Sequence, residues 1–420
     1  MNKVYVYADF DWLRSIELIG ELGYESLRGS DCYSFNFADS WIKKYHAINL
    51  SDDLNNYPGL QNTQPGKDIF GCFADSLPDR WGRTLLLRRE QTMAQEENRP
   101  TRRLSSFDLL MGIDDFSRMG GFRFKNTPDG DFINTEDSLR IPPLTKIPEL
   151  IMASKEIEKS EEINRLPEKQ WILQLVNPGS SLGGARPKAN VLDTDNTISI
   201  AKFPSLKDDY DAGLWEHFCH IMAKNAGINA AQTRVYKFND RHHTLLSRRF
   251  DRSDSGRRIH FASAMTLLGL NDGDGAATGH GYIDIVDFII RGCSDVEANL
   301  RELFRRVAFN ICVGNSDDHF RNHGFLLTAK GWRLSPAYDM NPTQNSHQSL
   351  LINGTTNSAD LSILLNSCEE YMLTTDVAKI IVDEVVDAVK GWRVVANRLS
   401  IAKREIDLFE GIISERISRI

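Results

Sequence analysis

Gly314-Asn315-Ser316-Asp317-Asp318-His319-Phe320-Arg321-Asn322, followed after a hairpin signal by Ser335-Pro336-Ala337-Tyr338-Asp339-Met340, is the stretch on which the reading of this chain turns. Four residues separate Asp317 from Asn322. That is the spacing at which a phosphoryl-transfer loop places a hydroxyl-orienting carboxylate and a magnesium-binding amide, and Asp339 stands where a second metal ligand follows. Upstream, Leu300, Leu303, Phe304, Val307, Ala308 and Ile311 recur with a helical period and stop at Gly314, so a helix delivers the loop. Downstream, Gly324 to Thr328 and Trp332 to Ser335 pair around Ala329-Lys330-Gly331, and the hairpin returns Asp339 towards Asn322. Singly, Asp317 and Asp318 read as a helix cap and Asp339 as an Asx turn. The ordered set favours chemistry: Asp317 as the catalytic carboxylate, Asn322 and Asp339 as ligands of Mg2+.

The rest of the chain is consistent with a two-part molecule. At 420 residues it is too long for one ordinary core. Hydrophobic residues at 41% and charged residues at 26% are globular values, and a net charge of -8 argues against broad binding to nucleic acid. The basic cluster Arg80, Arg83, Arg88, Arg89, Arg102 and Arg103 reads as solvated faces or intramolecular partners. Six scattered cysteines form no CxxC pair, which suits reduced thiols in a cytoplasm. No leader-like start and no long apolar run is seen, so a membrane span is not expected. Strand signals at Val4 to Ala8, Phe122 to Phe124 and Ile198 to Phe203 alternate with a basic helix at Thr84 to Glu90 and a short apolar segment at Ser106 to Gly112. Pro, Asp and Thr density marks a loop or subdomain joint at 126–149. From Leu214 a helical period takes over as far as Gly227, then a strand pair fits Thr233 to Phe238 and Thr244 to Phe250. Another helix carries Val377, Ile381, Val385 and Val389, started by Thr375 or Asp376 and stopped by Gly391. The expected architecture is α+β and kinase-like: a mixed N-terminal lobe over 1–204 and a largely helical C-terminal lobe over 205–420.

Three further segments supply groups that phosphoryl transfer needs. Ser180-Ser181-Leu182-Gly183-Gly184-Ala185-Arg186-Pro187-Lys188 offers small residues whose backbone N–H groups approach phosphate oxygens, with the charge of Lys188 beside them; alone it also reads as a glycine turn. Lys202, inside a strand between Ala201 and Phe203, reaches either inward to a nucleotide or outward to water. Arg248-Arg249-Phe250-Asp251-Arg252 ends a strand, where a backbone edge meets an adenine or an ion-paired surface. His319 and His323 read as hydrogen-bonding residues rather than zinc ligands. Asn271-Asp272-Gly273-Asp274-Gly275 lacks the distal Glu of a calcium loop and reads as a surface loop.

Taken together these motifs resemble the HipA family of serine/threonine kinases, the toxins of bacterial toxin-antitoxin pairs. The resemblance rests on Phe73-Ala74-Asp75-Ser76-Leu77-Pro78 with Trp81-Gly82-Arg83, Arg118-Met119-Gly120-Gly121, the loop from Ser181 to Lys188, Ala201-Lys202-Phe203-Pro204, Arg249-Phe250-Asp251-Arg252, Asn315 to Asn322 and Tyr338-Asp339. It implies that Asp317 is catalytic and that Asn322 and Asp339 bind Mg2+. Lys202 with Gly183, Gly184, Ala185, Arg186, Pro187 and Lys188 then holds ATP phosphates, and Arg248, Arg249 and Phe250 meet adenine mainly through backbone atoms. His319 and Tyr338 complete the nucleotide side. Ser181 matches a serine whose autophosphorylation expels the phosphate loop and silences the kinase. Arg248 stands where an acidic residue is often found, and the phosphate loop departs from that of some members. The family implies a helix-turn-helix antitoxin of the HipB type as partner, operator DNA contacted mainly through it, and an aminoacyl-tRNA synthetase as substrate. A catalytically silent ATP-binding corepressor and a nuclease using Asp317, His319 and Asp339 are the competing readings.

Overall fold

In Asn2–Ala8 (β1) the side chains of Val4, Val6 and Ala8 are buried and those between them are not, the period-two pattern of a half-buried strand. The computed structural model describes residues 2–27, 30–64, 67, 69–135, 141–163, 165–176, 184 and 186–418. Glu17–Leu27 (β2), Ser30–Phe37 (β3), Leu60–Asn62 (β4) and Phe122–Lys125 (β5) join β1 in an antiparallel sheet of order β4-β3-β2-β1-β5. Phe10, Phe35, Phe73 and Phe122 are buried beside it, with Phe73 and Phe122 rings 5.4 Å apart.

The chain divides into two compact units and passes between them three times. Unit 1 is Met1–Asp208 with Leu246–Ala262; unit 2 is Asp209–Leu245 with Ser263–Ile420. Unit 1 adds Asp39–Tyr45 (α1), Arg80–Glu96 (α2), Ser106–Met111 (α3), Ile147–Glu162 (α4) and Lys169–Val176 (α5). The basic helix expected at Thr84 to Glu90 is longer, because the side chain of Asp79 accepts from the Gly82 N–H at 2.6 Å and caps it a turn earlier. Lys188–Leu192 (β6) and Ile198–Lys202 (β7) form an antiparallel hairpin in which Lys188 stands opposite Lys202.

Unit 2 opens with Ala212–Asn225 (α6) and Thr233–Tyr236 (β8). Thr244–Arg248 (β9) and Phe261–Ser263 (β10) carry the chain out of unit 2 and back. Ala264–Leu267 (α7), Tyr282–Gly292 (α8) and Val296–Val313 (α9) follow, then the hairpin Gly324–Thr328 (β11) and Gly331–Leu334 (β12). Leu361–Asn366 (α10), Thr375–Lys390 (α11), Trp392–Arg398 (α12) and Lys403–Ser418 (α13) complete it. The stripe from Leu300 to Ile311 is buried along α9, which packs on α11 and α13. α11 is capped one residue earlier than its pattern suggests, by the Thr374 hydroxyl.

Candidate active site

α9 ends where it does because Gly314 takes a left-handed conformation at φ 79° that a side chain disfavours. A Cβ there would also sit 2.8 Å from Ile412. The segment that follows has no regular structure and is fastened by side chains. Asn315 donates through Nδ2 to Asn310 at 3.0 Å, and Ser349 Oγ donates to the Ser316 carbonyl at 2.9 Å. The Ser316 hydroxyl bonds that of Thr343, whose N–H donates to the Gly314 carbonyl at 2.8 Å. Asn322 Nδ2 donates to the Asp317 carbonyl at 3.0 Å, and the His319 N–H to the same oxygen at 3.2 Å. The Asp317 carbonyl is thus held by two donors from the residues that follow it.

The side chain of Asp317 is left available. The residue is exposed, and its carboxylate makes no hydrogen bond among the described residues. Partial enclosure of the carboxyl raises its pKa; His319 opposes that shift, while the charges of Asp339 and Asp318 add to it. Asp339 therefore lies within electrostatic reach of Asp317. Asp339 is itself in the left-handed region at φ 56°, a conformation tolerated by Asp and concentrated at functional sites. The preceding Tyr338 is anchored by its hydroxyl, which donates to the Arg321 carbonyl at 2.5 Å. Loop and hairpin end are tied together next to the acids.

Asp318 plays a different part from its neighbour. It is buried, and one of its oxygens, Oδ2, is met by Tyr282 Oη at 2.7 Å, Asn310 Nδ2 at 2.7 Å and His323 Nε2 at 2.9 Å. Burial alone would raise its pKa; the His323 ring and the Tyr282 hydroxyl outweigh it and hold the carboxyl below its usual value. Asp318 locks the loop to α8 and α9, so that one acid of the pair is structural and the other open. Asp318, Tyr282 and Asn310 carry no local signal that sets them apart from a surface acid and two helix residues.

In unit 1 the described part of the phosphate-loop segment is Gly184, Arg186, Pro187 and Lys188; Ser181, Gly183 and Ala185 lie outside the described residues. Gly184 is left-handed at φ 95°, and a Cβ on it would stand 3.1 Å from Lys188 Nζ. Lys188 is buried, with Nζ 3.1 Å from Asp79. Its carbonyl accepts from Trp81 Nε1 at 3.0 Å, which joins the Trp81 motif to the hairpin. Lys202, opposite it in register, is half-buried. Directly opposed residues project to one face of a hairpin, so two ammonium groups share that face. Arg186 pairs with Asp208 and donates to the Phe203 carbonyl at 3.0 Å, which fixes the loop's exit.

The segment Arg248 to Arg252 is built as a staple. Arg249 is buried and donates to Asp251, to the Ser117 carbonyl at 2.6 Å, to Asn190 at 2.9 Å and to the Arg118 carbonyl at 3.1 Å. Asp251 in turn accepts from Arg252 at 2.7 Å and from the Gly120 N–H at 2.9 Å. Burial opposes its ionisation, but Arg249 and Arg252 hold the carboxyl far below the carboxylate range. The guanidinium of Arg249 is consumed by these contacts and its N–H by the Ile198 carbonyl at 2.9 Å. Arg248 pairs with Asp254, and the Phe250 ring lies 5.9 Å from that of Phe261. The two motifs Arg118-Met119-Gly120-Gly121 and Arg249-Phe250-Asp251-Arg252 are halves of one buried network.

Comparison with known proteins agrees with this assembly of motifs. The family model described as HipA-like C-terminal domain matches residues 180–392, just over half of the chain, and the HipA N-terminal domain model matches residues 12–111. The chain belongs to the HipA family. A serine/threonine-protein kinase toxin HipA of Shewanella oneidensis is 24% identical over 214 residues, 45% of this chain and 48% of that protein. A Haemophilus influenzae protein is 24% identical over 204 residues, 43% of this chain and 56% of its own length. The chain thus matches about half the length of these relatives. A structure of the Shewanella oneidensis HipA, HipB and operator DNA complex aligns with a TM-score of 0.62 at 16% identity, covering 96% of this chain and 94% of that one. That likeness shows the fold, α+β and kinase-like. Among the described residues no group of three or more His, Cys, Asp or Glu has a metal-holding arrangement, and no helix is long and apolar enough to cross a membrane.

Proposed function

We propose that this protein is an ATP- and magnesium-dependent serine/threonine protein kinase that acts as a toxin. The Asp317 carboxylate carries the reading: it is exposed, unbonded among the described residues, set on a fastened backbone and raised in proton affinity. Such a group accepts a hydrogen bond from a substrate hydroxyl and orients it for attack. Asp339 and the amide oxygen of Asn322 would hold Mg2+; the negative charge that Asp339 places beside Asp317 is what a divalent cation would neutralise, and two protein ligands suffice where phosphates and water supply the rest. When bound, the ion neutralises charge on the transferred phosphoryl group. In unit 1, Lys202 and the loop from Gly183 to Lys188 would take the ATP phosphates, and Arg248 to Phe250 the adenine through backbone atoms. His319 and Tyr338 would flank the nucleotide.

Family membership supports a reading of regulation and partners as well. Autophosphorylation of Ser181 would place about -1.5 to -2 charges beside the phosphate loop and expel it. A HipB-type helix-turn-helix antitoxin, of the kind named in the Shewanella complex with operator DNA, is the partner we propose. An aminoacyl-tRNA synthetase in the cytoplasm is the proposed substrate.

The test is incubation of the purified protein with labelled ATP, with and without magnesium, and separately with plasmid DNA. Magnesium-dependent phosphate incorporation is expected, falling at least about a hundredfold in Asp317→Asn while ATP still binds. ATP binding without transfer would leave the corepressor reading, and cut plasmid the nuclease. Full transfer by Asp317→Asn would remove the role given to that carboxylate.

A further inference from the structure

A cavity of about 470 Å³ opens beside α2 in unit 1, and none of the residues assigned to the reaction lines it. One face of α2 lines it with Leu86, Arg89, Glu90 and Met93, the i, i+3, i+4, i+7 set of a single helical stripe. Its volume falls in the range of small-molecule sites.

The charges around it are unevenly satisfied. Glu90 accepts two hydrogen bonds from Arg99, at 2.6 and 3.2 Å, and a third from the Arg102 N–H at 2.9 Å. Those bonds bring its carboxyl down to about 2, so it is ionised and fully engaged. Asp108 is taken up by the capping box with Ser105 and by Arg102 at 3.5 Å. Arg99 is spent on Glu90 and Glu97. Arg89 alone of the lining cations makes no hydrogen bond or ion pair among the described residues, although it is half-buried and its pKa is lowered by desolvation. A half-buried guanidinium without a hydrogen-bond acceptor is unfavourable, and folded proteins rarely keep one. Arg99 is balanced by Glu90 and Glu97 and Arg102 by Asp108, so the charge beside Arg89 is that of Glu90, which is already engaged.

We propose that this cavity binds a small organic anion whose forked oxyanion head, a carboxylate or a phosphate monoester, pairs with Arg89 while an apolar body lies on Leu86, Met93 and Leu104. A guanidinium presents two parallel N–H groups that match such a head. The apolar wall explains why a bare inorganic ion is not the intended occupant. This site stands whether or not the protein is a kinase.

Calorimetric titration of the full chain with phenylacetate, phenyl phosphate, inorganic phosphate and benzyl alcohol tests it. Saturable binding of one or both aromatic anions is expected, and which of the two binds tells carboxylate from phosphate; inorganic phosphate and benzyl alcohol each lack half of the recognition and bind more weakly. Arg89→Met should weaken the aromatic anion about ten- to a hundredfold while leaving the melting temperature unchanged or higher, since it removes a dehydrated cation. Met93→Glu, on the same stripe, should weaken it by repulsion. Arg88→Met, outside the lining, should bind as the wild type does. Absence of saturable binding by either aromatic anion, or equal binding by Arg89→Met and the wild type, would overturn the proposal.

Discussion

Asp317 and Asp318 are adjacent, identical in chemistry and opposite in state. The first is exposed with a raised pKa; the second is buried with a lowered one. The contrast makes a prediction that does not depend on substrate. A carboxyl whose folded pKa lies above its unfolded value loses stability for the fold as pH rises, because ionising it costs more in the native state than in the unfolded one. Asp317→Asn is therefore expected to raise the melting temperature by about 1–2 °C at neutral pH. The difference should shrink as the pH falls through the folded pKa and vanish below the ordinary carboxylate range. Thermal scans of both proteins across pH 3 to 8 check it; a variant less stable than the wild type at neutral pH would contradict the assignment. What could be read from sequence at this scale was the position of Asp317, through its spacing to Asn322. The role of Asp318 could not be read, because it depends on Tyr282, Asn310 and His323 converging from three places in the chain.

Among the elements, those with regular burial were legible and those defined by distant partners were not. The stripe from Leu300 to Ile311 and the stop at Gly314 gave α9, since one helix face buries against α11 and α13 and a left-handed glycine ends it. β11 and β12 were likewise visible as a hairpin. β2 and β3 left no comparable trace: in β2, Gly20 and Gly23 interrupt the alternation, and Gly20 is needed where a Cβ would stand 2.3 Å from the Asn36 carbonyl. The sequence shows Arg249 at a strand end, whose backbone meets an adenine or an ion-paired surface, but not its buried side-chain bonds to Ser117, Arg118 and Asn190, contacts that no local period records. The element that holds the candidate site is the junction of α8, α9 and the loop at Asp318. Asp318→Asn is expected to destabilise the protein by about 2–4 kcal/mol, since an amide cannot accept from all three donors and adds a donor of its own. Tyr282→Phe removes one bond and should cost about 1–2 kcal/mol. The carboxylate's contribution is present above the ordinary carboxylate range and lost as pH falls through its lowered value. Urea titration of both single variants and of the double variant checks the network: strictly additive losses would mean that the two residues act apart.

At the scale of the whole molecule, the chain leaves unit 1 after Asp208 and returns to it for Leu246–Ala262. Those returning residues include Arg249, Asp251 and Arg252, which hold the Ser117 and Arg118 carbonyls and the Gly120 N–H. A fragment of residues 1–208 is therefore expected to melt without a sharp transition, and a peptide of residues 246–262 added to it should sharpen the melt. Circular dichroism of the fragment with and without the peptide measures this, and a cooperative melt of the fragment by itself would show that the staple is dispensable. The same interleaving has a consequence in time. As the chain emerges from the ribosome, the first part of unit 1 must wait, with its buried carbonyls unmet, while residues 209–245 of unit 2 are synthesised. It closes only when residue 262 is out, well past the midpoint of translation. A chaperone acting on the nascent chain is thus expected to meet an open unit 1 until residue 262 has emerged.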